Sequence, residues 1–148
     1  MANFFKSLES VFSENETRTA LKLTDRNDWS YFDLSNRVNE IAAVLLNRDV
    51  RVGDRVSVQV EKSPEALALY LAVLKIGAVH VPLNTAYTDM EVDYFVEDSE
   101  PALFVGKSTR SDCDSLTLSD SGLEGSLIEQ LNSASDAADP VEIATLAD

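Results

Sequence analysis

The sequence predicts an α/β fold built on a parallel sheet, because strand-like segments alternate with helical ones at a steady spacing. Strands are predicted to begin near residues 55, 78 and 102, about 23 residues apart. A helical pattern fills each interval. A helix between two strands returns the chain to the edge where the first strand began, so the strands run parallel. We therefore expect a parallel βαβαβ sheet flanked by helices.

The first part of the chain predicts a helix and a hairpin. Apolar residues recur on one side from Asn3 to Phe12, as in an amphipathic helix. Thr19 to Thr24 alternates as a strand does, and Trp29 to Tyr31 resembles a second strand. The stretch between them, Asp25 to Asp28, is rich in turn-forming residues. The two strands are therefore expected to pair.

A long amphipathic helix is predicted from about Asp33 to Arg48. Its apolar residues recur at intervals of four, three and four positions: Leu34, Val38, Ile41 and Leu45. A tight turn at Arg51 to Asp54 follows. Arg55 to Val60 then alternates valine with polar residues, which is typical of a β-strand.

The next helix has the clearest limits. Ser63 is a good N-cap, Pro64 suits the first helical position, and Gly77 suits the left-handed conformation after a helix. Glu65 places a negative charge at the positive end of the helix dipole. Nearly every face between these limits is apolar, so the helix must be covered on all sides. It is too short to span a membrane, which takes about 20 apolar residues.

Two further strands and a helix complete the repeat. Ala78 to Pro82 and Ala102 to Val105 are short apolar strands. Thr88 to Glu91 fits a capping box and begins a helix that ends near Glu97. Three of its side chains are expected to face inward: Met90, Tyr94 and Phe95.

The composition changes after Gly106, where acidic, serine and alanine residues dominate. A short strand is predicted at Leu116 to Leu118 and a helix at Ser126 to Asn132. Ser133 to Asp139 resembles a linker. Val141 to Asp148 has no visible packing partner.

Charge and cysteine content limit the class of protein. The length of 148 residues suits one domain, and the formal net charge is −14. This acidity argues against nucleic acid or an anionic membrane surface as the main partner. The single cysteine, Cys113, excludes an intrachain disulfide, and the first residues show no signal-peptide pattern. We therefore expect a cytoplasmic protein without a transmembrane segment.

The carboxyl ends of the strands are the expected place for a ligand, as in other open parallel sheets. The most distinctive loop there is Asn84 to Thr88, which offers an amide, hydroxyls and one aromatic ring. Three of its residues are candidates for facing a cleft: Asn84, Thr85 and Tyr87. The alternative for each is the ordinary polarity of an exposed loop.

The other candidate motifs are not interpreted as catalytic or ligand-binding sites. Gly106 to Ser108 resembles the end of a phosphate-binding loop, but the glycine needed five positions earlier is Pro101. His80 lies in an apolar strand without a second metal ligand in a useful pattern, so we interpret it as packed. The aspartates beside Cys113 would raise the pKa of its thiol, which argues against a nucleophile. Two pairs of carboxylates are interpreted as solvated: Glu97 with Asp98, and Asp112 with Asp114.

Three stretches resemble the AMP-forming acyl-CoA ligases, the acyl-adenylate-forming superfamily: Trp29 to Leu34, Arg51 to Val56 and Leu74 to Asn84. The stretches VEKSPEALALYLA and PLNTAYT are most similar to the malonyl-CoA synthetase branch. The resemblance covers about residues 3–132. It departs from the family at His80, where a tyrosine is more usual. It implies the first subdomain of the acyl-adenylate-forming ligase fold.

The resemblance also implies a reaction in two steps that uses ATP and Mg²⁺. A carboxylate attacks the α-phosphate of ATP to give an acyl-adenylate, and the thiol of coenzyme A then displaces AMP. The acid would be malonate or a similar small dicarboxylate. The family contacts the phosphates through a Ser/Thr/Gly-rich loop, and these 148 residues contain no such loop.

We therefore expect an amino-terminal fragment of such a ligase, inactive alone, with no catalytic residue, metal ligand or bound cofactor of its own. Residues 1–134 would be the partial subdomain, and residues 135–148 a linker towards the phosphate-loop region. Two alternatives stay open. One is another adenylating enzyme, such as an amino-acid adenylation domain or a fatty or aryl acid ligase. The other is a non-catalytic α/β scaffold or binding domain.

Overall fold

The computed structural model describes residues 2–133 and 140–146. In these ranges the helices and strands follow in this order: α1 (Phe4–Glu14), β1 (Thr19–Leu21), β2 (Trp29–Ser30), α2 (Tyr31–Asn47), β3 (Arg55–Gln59), α3 (Pro64–Lys75), β4 (Val79–Pro82), α4 (Asp89–Ser99), β5 (Leu103–Gly106), β6 (Ser115–Thr117) and α5 (Ser126–Ser133).

A parallel sheet of four strands forms the centre, in the order β4-β3-β5-β6. Val56 in β3 lies opposite His80 in β4 and Leu103 in β5, and all three pairings of neighbouring strands are parallel. The predicted α/β class and parallel sheet are therefore confirmed. The strand predicted at Leu116 to Leu118 lies one position earlier, as β6, and extends the sheet beyond β5.

The two faces of the sheet are covered by different helices. Leu103 and Val105 belong to the large apolar cluster that includes α1, α2, α3 and α5. Phe104, between them, points to the other face and packs with Val92 and Val96 of α4. All four residues of β5 are buried, as expected for a parallel strand covered on both faces.

Side-chain caps fix where the helices begin. Ser63 caps α3 as predicted, since its Oγ accepts a hydrogen bond from the Ala66 N–H at 3.0 Å. The helix predicted to begin near Asp33 starts two residues earlier, at Tyr31. The reason is a capping box, in which Ser30 Oγ accepts from the Asp33 N–H and Asp33 Oδ2 accepts from the Ser30 N–H.

The predicted orientation of α4 is wrong for two of the three side chains that were expected to face inward. Met90 and Tyr94 are 82% and 64% exposed, and Phe95 is half-buried. Val92 and Val96 face the sheet instead, each only 4% exposed. The helix carries two apolar stripes, and the compact aliphatic one packs against the sheet.

Coverage of α3 is less complete than its composition requires. Leu69, Leu71 and Val73 are buried, as expected. Leu67 and Tyr70 keep 37% and 39% of their surface exposed. One side of this apolar helix is therefore open within the described residues.

Residues 140–146 pack against the body of the chain, contrary to the expectation that this end has no partner. The Val141 N–H donates to Asn39 Oδ1 at 2.6 Å, and the Ala144 N–H donates to the Lys75 carbonyl at 2.9 Å. Asn3 Nδ2 in turn donates to the Ala144 carbonyl at 3.1 Å. The segment thus crosses the carboxyl end of α3.

Two other predictions concern the hairpin and the linker. The hairpin is confirmed, because β1 pairs antiparallel with β2, although β1 ends at Leu21. The linker predicted at Ser133 to Asp139 lies outside the described residues except for Ser133, as do residues 147 and 148. In the described part of the chain, no helix has the length and apolar character needed to cross a membrane.

Candidate functional site

The carboxyl ends of the four parallel strands meet at one edge of the sheet. The last residues of the strands are Gln59 in β3, Pro82 in β4, Gly106 in β5 and Thr117 in β6. The loop from Asn84 to Thr88 leaves β4 at this edge. Its position follows from the parallel order of the strands, as the sequence predicts.

Asn84 holds this loop together. Its Oδ1 accepts a hydrogen bond from the Ala86 N–H at 2.9 Å, and its carbonyl accepts one from the Tyr87 N–H at 3.1 Å. The same carbonyl accepts from Gln59 Nε2 at 3.1 Å, which ties the loop to the end of β3. Thr85 lies exposed between these contacts. The amide of Asn84 therefore serves the turn itself.

Tyr87 packs onto α4. Its ring stacks on Phe95, with the ring centroids 5.2 Å apart and the planes 19° from parallel. Tyr94 packs edge-to-face on the same Phe95 ring, with the ring centroids 5.5 Å apart. Tyr87 keeps 36% of its surface exposed, so one side of the ring is open to a ligand or partner.

A polar cleft of about 570 Å³ opens beside this loop. It lies between the end of β3, the first turns of α4 and the loop that follows β5, and Gln59 lines it. Asn84, Thr85 and Tyr87 are not among its lining residues, so their part in binding stays a prediction. The alternation of β3 could have identified Gln59, since it is the polar residue that ends the strand.

Arg110 donates more hydrogen bonds than the other cation in the cleft, Lys107. Its Nε and Nη2 donate to the two carboxylate oxygens of Asp112 at 2.9 and 2.8 Å, and Nη2 also donates to Asp93 at 2.7 Å. The guanidinium lies 5.4 Å from the ring centroid of Phe104. Hydrogen bonding to Asp112 and Asp93 raises the pKa of Arg110, and the bond from Arg110 lowers the pKa of Asp112. Asp112 is exposed, as expected, and is also an ion-pair partner of Arg110.

Asp114 is also exposed, and its Oδ1 accepts from Arg48 Nη1 at 2.7 Å. Glu97 and Asp98 are exposed, as expected. These pairings could not be predicted from local sequence patterns, because Asp93 lies 17 positions before Arg110, and Arg48 lies 66 positions before Asp114.

Lys107 is also paired. Its Nζ lies 2.9 Å from Asp120 Oδ2, and this carboxylate raises the pKa of Lys107. The preceding residues form β5, so the Gly106 to Ser108 stretch follows a strand and does not end a phosphate-binding loop.

The charges of the cleft do not favour a phosphate. Three carboxylates line it, Asp89, Asp93 and Asp112, against the cations of Lys107 and Arg110. Both cations already have carboxylate partners. Across residues 2–133 and 140–146, no group of three His, Cys, Asp or Glu side chains could hold a metal ion. These residues do not by themselves fit ATP, Mg²⁺ or coenzyme A, and no catalytic step is assigned to them.

His80 and Cys113 are both partly buried side chains. His80 packs edge-to-face on Tyr70, with the ring centroids 4.9 Å apart, and burial lowers the pKa of its imidazole. The pKa of the Cys113 thiol is raised, as predicted. Burial is the main cause, and the carboxylate of Asp112 adds to it.

Comparison with known protein families gives a match over most of the chain. The AMP-binding enzyme family matches residues 8–147. Among curated proteins, tyrocidine synthase 3 of Brevibacillus parabrevis is 30% identical over an alignment of 148 residues that covers 90% of this chain. Surfactin synthase subunit 1 of Bacillus subtilis (strain 168) is 32% identical over 119 residues, 76% of this chain. The chain spans only 2% and 3% of the length of these two relatives.

Solved structures agree with this family. Apo MatB from Rhodopseudomonas palustris is 37% identical with a TM-score of 0.83, and the match covers 95% of this chain and 30% of MatB. The N-terminal subdomain of NpsA from Klebsiella oxytoca shares the fold at 20% identity and a TM-score of 0.77, covering 98% of this chain and 35% of that one. On the family match and these similarities, the chain belongs to the AMP-binding enzyme family, the adenylate-forming ligases.

Proposed function

We propose that these 148 residues are part of a cytoplasmic, ATP-dependent, AMP-forming acid–CoA ligase that acts on malonate or a similar small dicarboxylate. The observation that carries this proposal is the stretch from Val60 to Ala72 together with Pro82 to Thr88, which resembles the malonyl-CoA synthetase branch. The 37% identity to MatB over 95% of the chain supports it.

In this proposal the chain acts as a scaffold for the substrate site of the longer ligase. It supplies the sheet edge, α3 and the Asn84 to Thr88 loop, and Asn84, Thr85 and Tyr87 border the site from one side. Phosphate and Mg²⁺ would be bound by parts of the ligase outside the described residues, because Lys107 and Arg110 are committed to carboxylates. We therefore expect no adenylation by the isolated chain.

A second candidate is amino-acid adenylation. It is favoured by the similarity to tyrocidine synthase 3 and surfactin synthase subunit 1 at 30% and 32% identity. The two candidates share the first step, activation of a carboxylate by ATP, and differ in the acid and in the final acceptor.

The test uses the protein expressed from the full reading frame that contains these residues. Exchange of labelled pyrophosphate into ATP is measured with malonate, methylmalonate, acetate and the standard amino acids, and thioester formation is measured with coenzyme A. Exchange and thioester formation with malonate would support the first candidate. Exchange with one amino acid and no thioester would support the second.

The isolated 148-residue chain is the control. Turnover by this chain would contradict the scaffold role, because it would place the phosphate contacts among these residues. Failure of the longer protein with every acid would contradict both candidates.

A further inference from the structure

The segment 140–146 forms neither helix nor strand, yet side chains from distant parts of the chain bind its backbone. Asn39 of α2 accepts a hydrogen bond on Oδ1 from the Val141 N–H at 2.6 Å. Asn3, which caps α1, donates from Nδ2 to the Ala144 carbonyl at 3.1 Å. Two side chains therefore hold the backbone of this segment at two points.

Lys75 of α3 joins these two points. Its carbonyl accepts a hydrogen bond from the Ala144 N–H at 2.9 Å, and its Nζ lies 3.5 Å from Asn39 Oδ1. On the side of α1, Nζ lies 3.7 Å from Glu9 Oε1 and 5.5 Å from the ring centroid of Phe5. One lysine thus connects α1, α2 and the segment 140–146.

The group formed by Asn3, Asn39 and Lys75, here named the clamp, uses a large share of the polar side chains in the core. In the described part of the chain, four polar or charged residues are buried: Asn3, Ser57, Glu65 and Lys75. Two of these four therefore belong to the clamp. Burying a polar group costs free energy unless the group is hydrogen-bonded, so satisfied polar contacts of this kind favour one arrangement over others.

Apolar packing specifies the same register for the segment. Val141 and Ile143 pack against the large apolar cluster, whereas Glu142 between them is exposed. Ala144 lies close to Gly77, where an added Cβ would be 3.1 Å from Ala144 Cβ. A slip of one residue would turn Glu142 towards the apolar cluster and would break both contacts with the clamp.

We propose that Asn3, Asn39 and Lys75 are positioning residues, which fix the register and direction in which the chain continues towards the phosphate-binding part of the ligase. This inference rests on the proposed function, in which phosphate and Mg²⁺ are bound outside the described residues. A slip of one residue moves an extended chain by about 3.4 Å. A misplacement of about 1 Å at a reacting group can lower the rate about 100-fold. The clamp therefore acts on ATP binding without touching ATP.

Amide hydrogen exchange in the 148-residue chain tests the clamp itself. Asn39→Leu keeps the approximate size of the side chain and removes the acceptor of the Val141 N–H. The Val141 and Ala144 amides should then exchange at least about tenfold faster than in the native chain. Asn39→Asp keeps an acceptor beside the Lys75 ammonium and should keep both amides protected. The control is Asn36→Leu, one turn earlier on α2 and exposed, which should leave both amides unchanged.

Asn3→Ser separates the clamp from the cap of α1. Asn3 Oδ1 accepts from the Phe5 N–H at 3.0 Å, and a serine hydroxyl can replace it as the cap. Serine has no amide group to donate to the Ala144 carbonyl. The Ala144 amide should therefore exchange faster in Asn3→Ser, while the amides within α1 keep their protection.

Kinetics of the protein expressed from the full reading frame test the positioning role. Pyrophosphate exchange is measured with the acid that the native protein activates, and the concentrations of ATP and acid are varied in turn. Asn39→Leu should raise the KM for ATP at least about tenfold and leave the KM for the acid within about twofold of the native value. A merely structural loss would lower the amount of folded enzyme, so kcat would fall and both KM values would stay unchanged. Asn39→Asp and Asn36→Leu should behave as the native protein does.

The outcomes separate this inference from the proposed function. Equal exchange of the Val141 and Ala144 amides in the native chain and in Asn39→Leu would overturn the clamp. Faster exchange of these amides with an unchanged KM for ATP would overturn the positioning role. Either result leaves the ligase standing, provided that the native longer protein exchanges pyrophosphate. If that protein shows no exchange with any acid, the proposed function fails and the positioning role is rejected with it.

Discussion

Arg26 and Glu65 join the β1–β2 hairpin to the first turn of α3 through a two-point ion pair. Arg26 Nη2 donates to Glu65 Oε2 at 2.8 Å, and Nη1 donates to Oε1. The side chains are 18% and 2% exposed. Arg26 Nη2 also donates to the Ser121 carbonyl at 3.2 Å, so the pair links three segments that are distant in sequence.

Removing the charge of Glu65 should destabilise the chain strongly. Glu65→Gln leaves the largely buried Arg26 guanidinium without its hydrogen-bonded carboxylate, with only Asp25 Oδ1 nearby, 4.0 Å from Nε. Breaking a buried pair in this way costs about 3–5 kcal/mol. We expect a loss of about 3 kcal/mol in the free energy of unfolding, measured by urea denaturation, because Arg26 keeps some contact with water.

The matched control is Glu40→Gln in the Arg37–Glu40 pair, whose side chains are 31% and 41% exposed. A surface pair of this kind contributes at most about 0.5 kcal/mol. Similar losses in the two variants would show that the Arg26–Glu65 pair is no stronger than a solvated one.

His80 should make the chain less stable in mild acid. Burial lowers the pKa of the folded imidazole, so the unfolded state takes up a proton first, near the ordinary histidine pKa of about 6.5. Stability is therefore complete above that pH and is lost as the pH falls towards the folded pKa. Urea denaturation at pH 7.5 and 5.5 should show a smaller difference for His80→Tyr than for the native chain.

The imidazole can be observed directly, because His80 is the single histidine. Its Cε1 proton should titrate in NMR spectra with a midpoint below about 6.5. A midpoint above that value would mean that the ring faces a carboxylate, and the pH effect would then have the opposite sign.

Local signals explain what the sequence predicts correctly. Ser63 and Gly77 mark the ends of α3 because a cap acts within one turn of its own helix. The Asn84 loop falls at the carboxyl edge because its strand is parallel to its neighbours. These features need no knowledge of distant parts of the chain.

Long-range contacts explain what the sequence could not predict. The sequence relates Glu65 only to the dipole of its own helix, since Arg26 lies 39 positions earlier. Met90 and Val92 lie on different apolar stripes of one helix, and helical periodicity does not say which stripe meets the sheet. The contents of the cleft depend on such contacts, so the site is harder to predict than the fold.

A buried serine and a half-buried serine should respond to alanine in opposite directions. Ser57 in β3 is 1% exposed, and its Oγ has no hydrogen-bond partner among the described residues. Ser126 Oγ, in contrast, accepts from the Thr117 N–H at 2.8 Å. Ser57→Ala should raise the free energy of unfolding by about 1 kcal/mol, because an unpaired hydroxyl is removed from the core.

Ser126→Ala should lower the free energy of unfolding by about 1 kcal/mol, since it leaves the Thr117 N–H without its acceptor. Each variant loses one hydroxyl oxygen, so their free energies of unfolding from urea denaturation can be compared directly. A loss of stability in Ser57→Ala would indicate a bound water or a local bond at that hydroxyl.

Gly77 should tolerate alanine less well than Gly53. Both have positive φ angles, +75° and +85°, so alanine in either place strains the backbone by about 1–2 kcal/mol. A Cβ on Gly77 would also lie 3.0 Å from Leu146 Cδ2 and 3.1 Å from Ala144 Cβ, whereas nothing lies within 4 Å of a Cβ on Gly53. We expect Gly77→Ala to lose roughly 1 kcal/mol more in the free energy of unfolding than Gly53→Ala.

Hydrogen exchange distinguishes the steric effect from the backbone effect. The Ala144 N–H donates to the Lys75 carbonyl at 2.9 Å, and a side chain at Gly77 pushes against that segment. Gly77→Ala should therefore speed exchange of the Ala144 amide, while Gly53→Ala should leave it unchanged. Equal losses of stability with an unchanged Ala144 amide would show that residues 140–146 do not press on α3 in solution.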